Sequence, residues 1–210
     1  MNARRIKYAG LIGMMAATVM AYVRLVRPWL LRWGATPEEA HRPLPGDELI
    51  PHPAMSATRA LTIQAPVDRV WPWVVQIGQG RGGFYSYDWL ENLFGMDIHN
   101  TNRIQPEWQS PKVGDIIPFW NENGIPIVLI EPPRWMVMAG SFAPQQPMGG
   151  SWLFLLESPD SQTTRLIVRA RVAGFSPQWL SLFLYRLFLE PAHFIMERKM
   201  MQGIKALAEK

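Results

Sequence analysis

The sequence predicts an α+β domain behind a basic, apolar N-terminal segment. Three observations carry that reading: an uncharged run over residues 8–23 with Lys and Arg on both sides, a succession of short β-type runs between residues 115 and 172, and a long helical stretch that closes the chain. At 210 residues the chain has room for one well-buried domain and an appendage, and two domains of ordinary size do not fit. Hydrophobic residues make up 48% and charged residues 18%. An average globular chain is roughly 25% charged, so disorder is not expected.

The N-terminal segment is taken first because it holds the charge. Residues 1–32 carry Arg4, Arg5, Lys7, Arg24, Arg27 and Arg32 and no acid, which leaves 15 basic against 17 acidic side chains, or −2, in the remainder. The pI near 9.6 therefore belongs to this segment. The globular part has no electrostatic basis for binding nucleic acid. The run at 8–23, YAGLIGMMAATVMAYV, is 16 residues long. As a helix it reaches roughly 24 Å, short of the roughly 30 Å of bilayer hydrocarbon. Snorkelling by Lys7 and Arg24, the apolar Leu25 and Val26, and the interfacial rings of Tyr22 and Trp29 make up the difference. A single-pass anchor in the cell membrane is the preferred reading over a cleaved signal peptide or an interfacial helix. Arg24 and the apolar stretch at 28–31 follow the run where a cleavage site would open into polar chain. Three basic residues flank each end, so the side of the membrane is not specified.

Residues 33–57 hold five prolines and a charge cluster, as expected of a linker or of a segment draped over the domain. Residues 58–64, TRALTIQ, alternate like a half-buried strand. Val67, Val70, Trp71, Val74 and Val75 then fall on one face of a helix, with Pro66 near its start and Pro72 as a possible bend. A Gly-rich loop at 78–83 leads into a second short helical pattern at 86–94. Strand signals follow at 115–120, 125–130, 134–139, 151–157 and 164–172, joined by short turns that imply an antiparallel meander. A helix over 177–210 ends the chain, bent or restarted at Pro191.

This element order, with the stretches TRALTIQAPVDRVWPWVVQIGQGRGGFYSYDWLENLFGMDIHN, EPPRWMVMAG and EPAHFIMERKMMQGIKALAE, resembles the START-related helix-grip superfamily (SRPBCC) over residues 58–210. With its anchor and WGAT linker the chain is similar to a membrane-tethered bacterial group within it. The resemblance implies a curved antiparallel sheet wrapped around the long C-terminal helix and enclosing an apolar cavity. It does not imply one reaction, because the same fold serves lipid carriers, polyketide cyclases and plain binding proteins.

The candidate ligand-binding residues are Arg81, Tyr85, Tyr87, Trp89, His99, His193, Met196 and Met200. Arg81 lies in a Gly-rich loop whose spacing fits neither phosphate-binding motif, and suits instead a flexible turn at a cavity mouth with a cation for an anionic head group. Tyr85, Tyr87 and Trp89 belong either to the core or to a ligand wall, where a phenol joins an apolar ring to a hydroxyl. His99 stands beside Asp97 and Asn100 as a loop residue or an acid/base group. His193, on an apolar helix, is a structural residue or, if it faces the cavity, the best polar handle there. Met196 and Met200 are soft cavity liners or plain core. The chain has no Cys, and its four His show no metal-ligand spacing. No cofactor and no metal are expected, and no catalytic residue is assigned.

The leading reading is a membrane-tethered binding module for a hydrophobic small molecule or lipid. A cyclase- or dehydratase-type enzyme acting in the same cavity is the alternative, and a structural domain with a filled core is the third. A His hydrogen-bonded to a carboxylate inside the cavity would favour the enzyme. Full-length protein is expected to sediment with membranes and to need detergent for release. Release of uncleaved chain by a salt wash alone would defeat the anchor.

Overall fold

The computed structural model describes residues 3–93, 95–120, 123–141, 149–173 and 179–210. A nearly continuous helix opens the chain: α1 (Ala3–Ala21), a π turn (Tyr22–Val26) and α2 (Arg27–Leu31). Next come α3 (Pro37–His41), a 3-10 turn (Asp47–Leu49), β1 (Met55–Ile63), α4 (Val67–Val75), α5 (Asp88–Leu93) and a 3-10 turn (Pro106–Trp108). Strands β2 (Ile116–Trp120), β3 (Asn123–Glu131), β4 (Trp135–Gly140), β5 (Gly150–Glu157) and β6 (Thr164–Val172) follow. The chain closes with α6 (Trp179–Leu184), a second π turn (Tyr185–Leu189) and α7 (Glu190–Ala208).

The six strands form one antiparallel sheet in the order β1-β6-β5-β4-β3-β2, curved around the long α7. This is the expected α+β helix-grip architecture. Register shifts in the β2–β3 and β3–β4 ladders mark bulges, which bend the outer strands. Strand β1 begins three residues before the sequence pattern suggests, because Met55 pairs with Val172 at the far end of β6. Pro191 stands in the first turn of α7, directly after the π turn Tyr185–Leu189, so the regular α pitch is interrupted where a bend or restart is expected. The positions Phe94 and Pro177, at which two helical patterns were expected to end and to begin, lie outside the described residues.

Side chains alternate across the sheet, and both faces are covered. On the inner face Ile63, Met136, Met138, Phe154, Leu166 and Val168 pack with Met200, Met201 and Ile204 of α7. On the outer face Ala60, Val137, Leu153, Leu155 and Ile167 are covered by Leu44, with Ala35 and Leu49 at the margin. The Pro-rich segment thus lies on the back of the sheet. A capping box starts α3, since the Glu39 N–H donates to the Thr36 hydroxyl and the Thr36 N–H donates to the Glu39 carboxylate. Arg169, only 4% exposed, fastens the segment by donating to Asp47 and to the carbonyls of Glu39, Ala40 and Arg42. Arg165–Glu39, Arg171–Asp47 and Arg42–Glu157 add three ion pairs.

The first domain contacts come earlier still. Leu30 is buried, the Trp29 and Phe194 rings meet edge to face at 5.2 Å, and Arg27 pairs at 2.9 Å with Glu190, whose side chain is fully buried. Residues 27–33 are therefore packed on α7.

One glycine is required by close approach. A Cβ on Gly203 of α7 would stand 2.5 Å from the Tyr85 carbonyl oxygen and 2.7 Å from its Cβ. Alanine ordinarily favours a helix by about 1 kcal/mol over glycine. Gly203→Ala is nevertheless expected to lower the urea midpoint, because backbone must move to admit the methyl; a raised midpoint would show that the contact yields freely.

Candidate functional site

The inner face of β1 carries one residue out of keeping with its neighbours. Alternation sends Leu61 and Ile63 inward, and it sends Arg59 inward with them. Arg59 is 0% exposed. Its Nη1 donates to Oε2 of Glu197 on α7, and its Nε donates to the Leu30 carbonyl at 2.8 Å. Trp152 Nε1, from β5, donates to the other Glu197 oxygen at 2.8 Å. The Phe194 ring lies 5.3 Å from the guanidinium carbon. Removing one member of such a buried pair typically costs about 3–5 kcal/mol, since the survivor is left as an uncompensated charge.

His193 sits one turn before Glu197. Its Nδ1 is 3.4 Å from Arg59 Nη1, and a guanidinium can only donate, so Nδ1 accepts and Nε2 carries the proton. Nε2 is 3.7 Å from Glu197 Oε1, beyond hydrogen-bond length. Desolvation pulls the imidazole pKa below its ordinary value, with Glu197 opposing the shift and Arg59 adding to it, so the ring is neutral near pH 7. Arg59 Nη2 is buried and has no hydrogen-bond partner among the described residues.

A row of aromatic rings leads to this cluster. Phe119 and Phe84 stand 5.3 Å apart, Phe84 and Trp152 6.5 Å, and Trp152 and His193 6.4 Å between centroids. Phe154 backs Trp152 at 4.8 Å. The Arg59 and Glu197 side chains are closed off, whereas His193 keeps 37% of its side-chain surface accessible. The polar cluster thus reaches the exterior at His193. Rings that hold an apolar body and donors that hold one acceptor are the chemistry this arrangement offers.

The other sequence candidates are dispersed. Arg81 and His99 line an open depression of about 420 Å³ with Gln79, Gly80, Asp97 and Pro118. Arg81 donates to the Val75 carbonyl at 3.0 Å and stacks near Trp108, and burial pulls its pKa down. His99 is exposed and 3.0 Å from Asp97. Tyr85 is 4% exposed at φ 53°, its hydroxyl accepts from Gln76 Nε2 at 2.8 Å, and burial raises its pKa. The half-buried Tyr87 lies under Lys199 and beside the exposed Trp89. Met196 offers its carbonyl and sulfur to the Ser86 hydroxyl, and Met200 is 1% exposed within the main core. Only His193 joins the polar cluster.

Arg59, Glu197 and Trp152 were not anticipated. The signal was present, since an arginine at an inward position of β1 and a glutamate four residues after His193 on α7 both need a buried partner. Among the described residues no three His, Asp or Glu side chains converge to hold a metal ion.

No protein-family model matches the chain, and no curated protein matches it in sequence. Solved structures similar to it include a protein from Mesorhizobium loti (14% identity, 73% of this chain and 96% of that one, TM-score 0.40). Aha1 from Colwellia psychrerythraea is 19% identical over 69% of this chain and 93% of that one, with a TM-score of 0.37. A Polyketide_cyc-like protein from Corynebacterium glutamicum is 17% identical over 73% and 85%, with a TM-score of 0.32. Likenesses at this level add nothing to the argument about the site.

The pH dependence of stability separates two titratable groups with opposite shifts. His193 has a depressed pKa in the folded state, so below about pH 6.5 the unfolded chain binds a proton that the folded chain refuses, and stability falls as pH drops. Glu91, 6% exposed, has its pKa pushed up to about 7 by burial and by Asp88, so its contribution runs the other way and is lost as pH rises from about 4.5 to about 7. Urea midpoints at about pH 5 and about pH 8 sample the two ends of these changes. Relative to wild type, His193→Gln is expected to raise the acid midpoint against the alkaline one, and Glu91→Gln to lower it; no change in either would remove these assignments.

Proposed function

We propose that this chain is a membrane-tethered binding module for a hydrophobic small molecule or lipid carrying one polar acceptor group. The apolar body lies along Phe119, Phe84 and Trp152, and the acceptor reaches Arg59 and His193. The observation that carries the reading is the orphaned Nη2 of Arg59, a buried cationic donor without a partner among the described residues, beside a row of aromatic rings. Leaving a buried donor unmade costs about 1–3 kcal/mol, more when it is charged, and a ligand oxygen that accepts from it recovers part of that. The helix-grip resemblance of the sequence implies an apolar site between sheet and α7, which supports a ligand in the same region of the fold. Anchoring is supported by the helix over Gly13–Leu31, which is long and apolar enough to cross a membrane.

Binding is favoured over acid/base catalysis by the geometry at His193. Its Nε2 is 3.7 Å from a carboxylate already engaged by Arg59 and Trp152, so it lacks the oriented partner that a general base requires. A bulky ring at position 193 should close the accessible end of the row. Full-length protein purified in mild detergent is expected to retain a small molecule that mass spectrometry of an organic extract detects, and His193→Trp to lose it with little change in urea midpoint. The same molecule in equal amount from both proteins, at equal stability, would overturn the assignment.

A further inference from the structure

The helical segment before α7 presents an apolar face that the ligand site does not use. Phe183, Leu184, Phe188 and Leu189 are 42%, 45%, 61% and 61% exposed. The sequence of Trp179–Leu189, WLSLFLYRLFL, contains one charge, Arg186, and no acid. Four large apolar side chains within seven residues, all open to the surroundings, exceed the scattered exposure usual on a soluble domain.

This face is continuous with the N-terminal helix. The Tyr22 hydroxyl donates to the Arg186 carbonyl at 2.8 Å, so the two π turns, Tyr22–Val26 and Tyr185–Leu189, stand against each other. One turn further on, Arg27 pairs with Glu190 at 2.9 Å. At the same level α2 and its π turn expose Leu25, Val26 and Trp29 at 73%, 45% and 52%. A bilayer that holds the apolar window Gly13–Leu31 must therefore also meet the Phe183–Leu189 face beside it. Charge agrees with that placement, since Arg24, Arg27, Arg32 and Arg186 gather here and Glu190, the acid between them, is buried under Arg27. Cations beside an apolar helix face suit anionic headgroups.

We infer that the Trp179–Leu189 segment inserts into the same lipid bilayer as α1, so that two helices from opposite ends of the chain hold the domain to the membrane. This rests on the membrane-tethered reading above, and its occupant is lipid, not a second copy of the chain.

The natural absence of cysteine makes the test direct. Single cysteines are placed at Phe188, at Leu184, at Met15 of α1 and at Asp160 in the β5–β6 turn, each in the full chain. Each is labelled with a nitroxide and reconstituted in nanodiscs of phosphatidylcholine and phosphatidylglycerol. Collision with oxygen is then compared with collision with a water-soluble nickel chelate. Labels at Phe188 and Leu184 are expected to match Met15, with oxygen access several-fold above nickel access, while Asp160 shows the reverse. A Phe188 label as open to nickel as Asp160 overturns the inference, and with Met15 still in lipid it leaves the α1 anchor standing. A Met15 label open to nickel removes the anchor instead. Shielding of Phe188 from both reagents, with dipolar broadening between labels, would assign the face to a second copy and also overturn it.

Discussion

The buried pair between Arg59 and Glu197 is the constraint on which the arrangement depends. It joins the edge strand β1 to α7, and through the Leu30 carbonyl it joins both to the end of the N-terminal helix. Neither charge tolerates this depth alone, so β1, α2 and α7 must come together in one register. Trp152 is placed by the same carboxylate, and His193 by the guanidinium that the carboxylate holds. The geometry of the candidate site is thus a by-product of neutralising a charge that the alternation of β1 sends inward.

That constraint also divides α7 by function. Its C-terminal half, with Met200, Met201, Ile204 and Ala208, completes the apolar core with α4 and the sheet. Its N-terminal half carries Glu190, His193 and Glu197, which answer Arg27 and, in the last two cases, Arg59. In the proposed reading the ligand is confined to the region where aromatic rings meet the polar cluster. A filled core beneath leaves a ligand little depth and favours one held along the ring row with its polar end at the cluster.

Much of the architecture was legible in the sequence, and the reasons are local. Period-2 alternation located β1 and period-3.6 spacing located α4 and α7, because those patterns report one buried face each, while the later strands were found as short β-type runs between turns. The strands β5 and β6 were harder to interpret in detail. Their runs LFLL and LIV are apolar at consecutive positions, as expected when both faces are covered, yet nothing in the runs says that residues 35–50 provide the outer cover. The Thr36-Pro-Glu-Glu capping box was a readable helix start hidden within a segment dominated by prolines. The site was less legible than the fold. His193 was identified by type, but its partners come from β1, β5 and the end of α2, and no spacing along the chain reports a meeting of residues 134 positions apart. Arg81, His99 and Tyr85 have chemistry suggestive of a site, while their loops and contacts place them away from His193.

The helix from Ala3 to Leu31 continues into the domain without slack. The Pro-rich stretch that resembles a leash lies beyond the first contacts of residues 27–33 and is itself clamped to the back of the sheet by Arg165, Arg169 and Arg171. If the proposed membrane anchor holds the N-terminal helix, a domain joined to it in this way cannot roam through a hemisphere of solvent as one on a flexible tether does. It is carried at a set height and tilt, like a fitting on a rigid stem. On the proposed membrane anchor, its encounters would be governed by diffusion in the plane of the membrane, with molecules that reach that plane close to the stem.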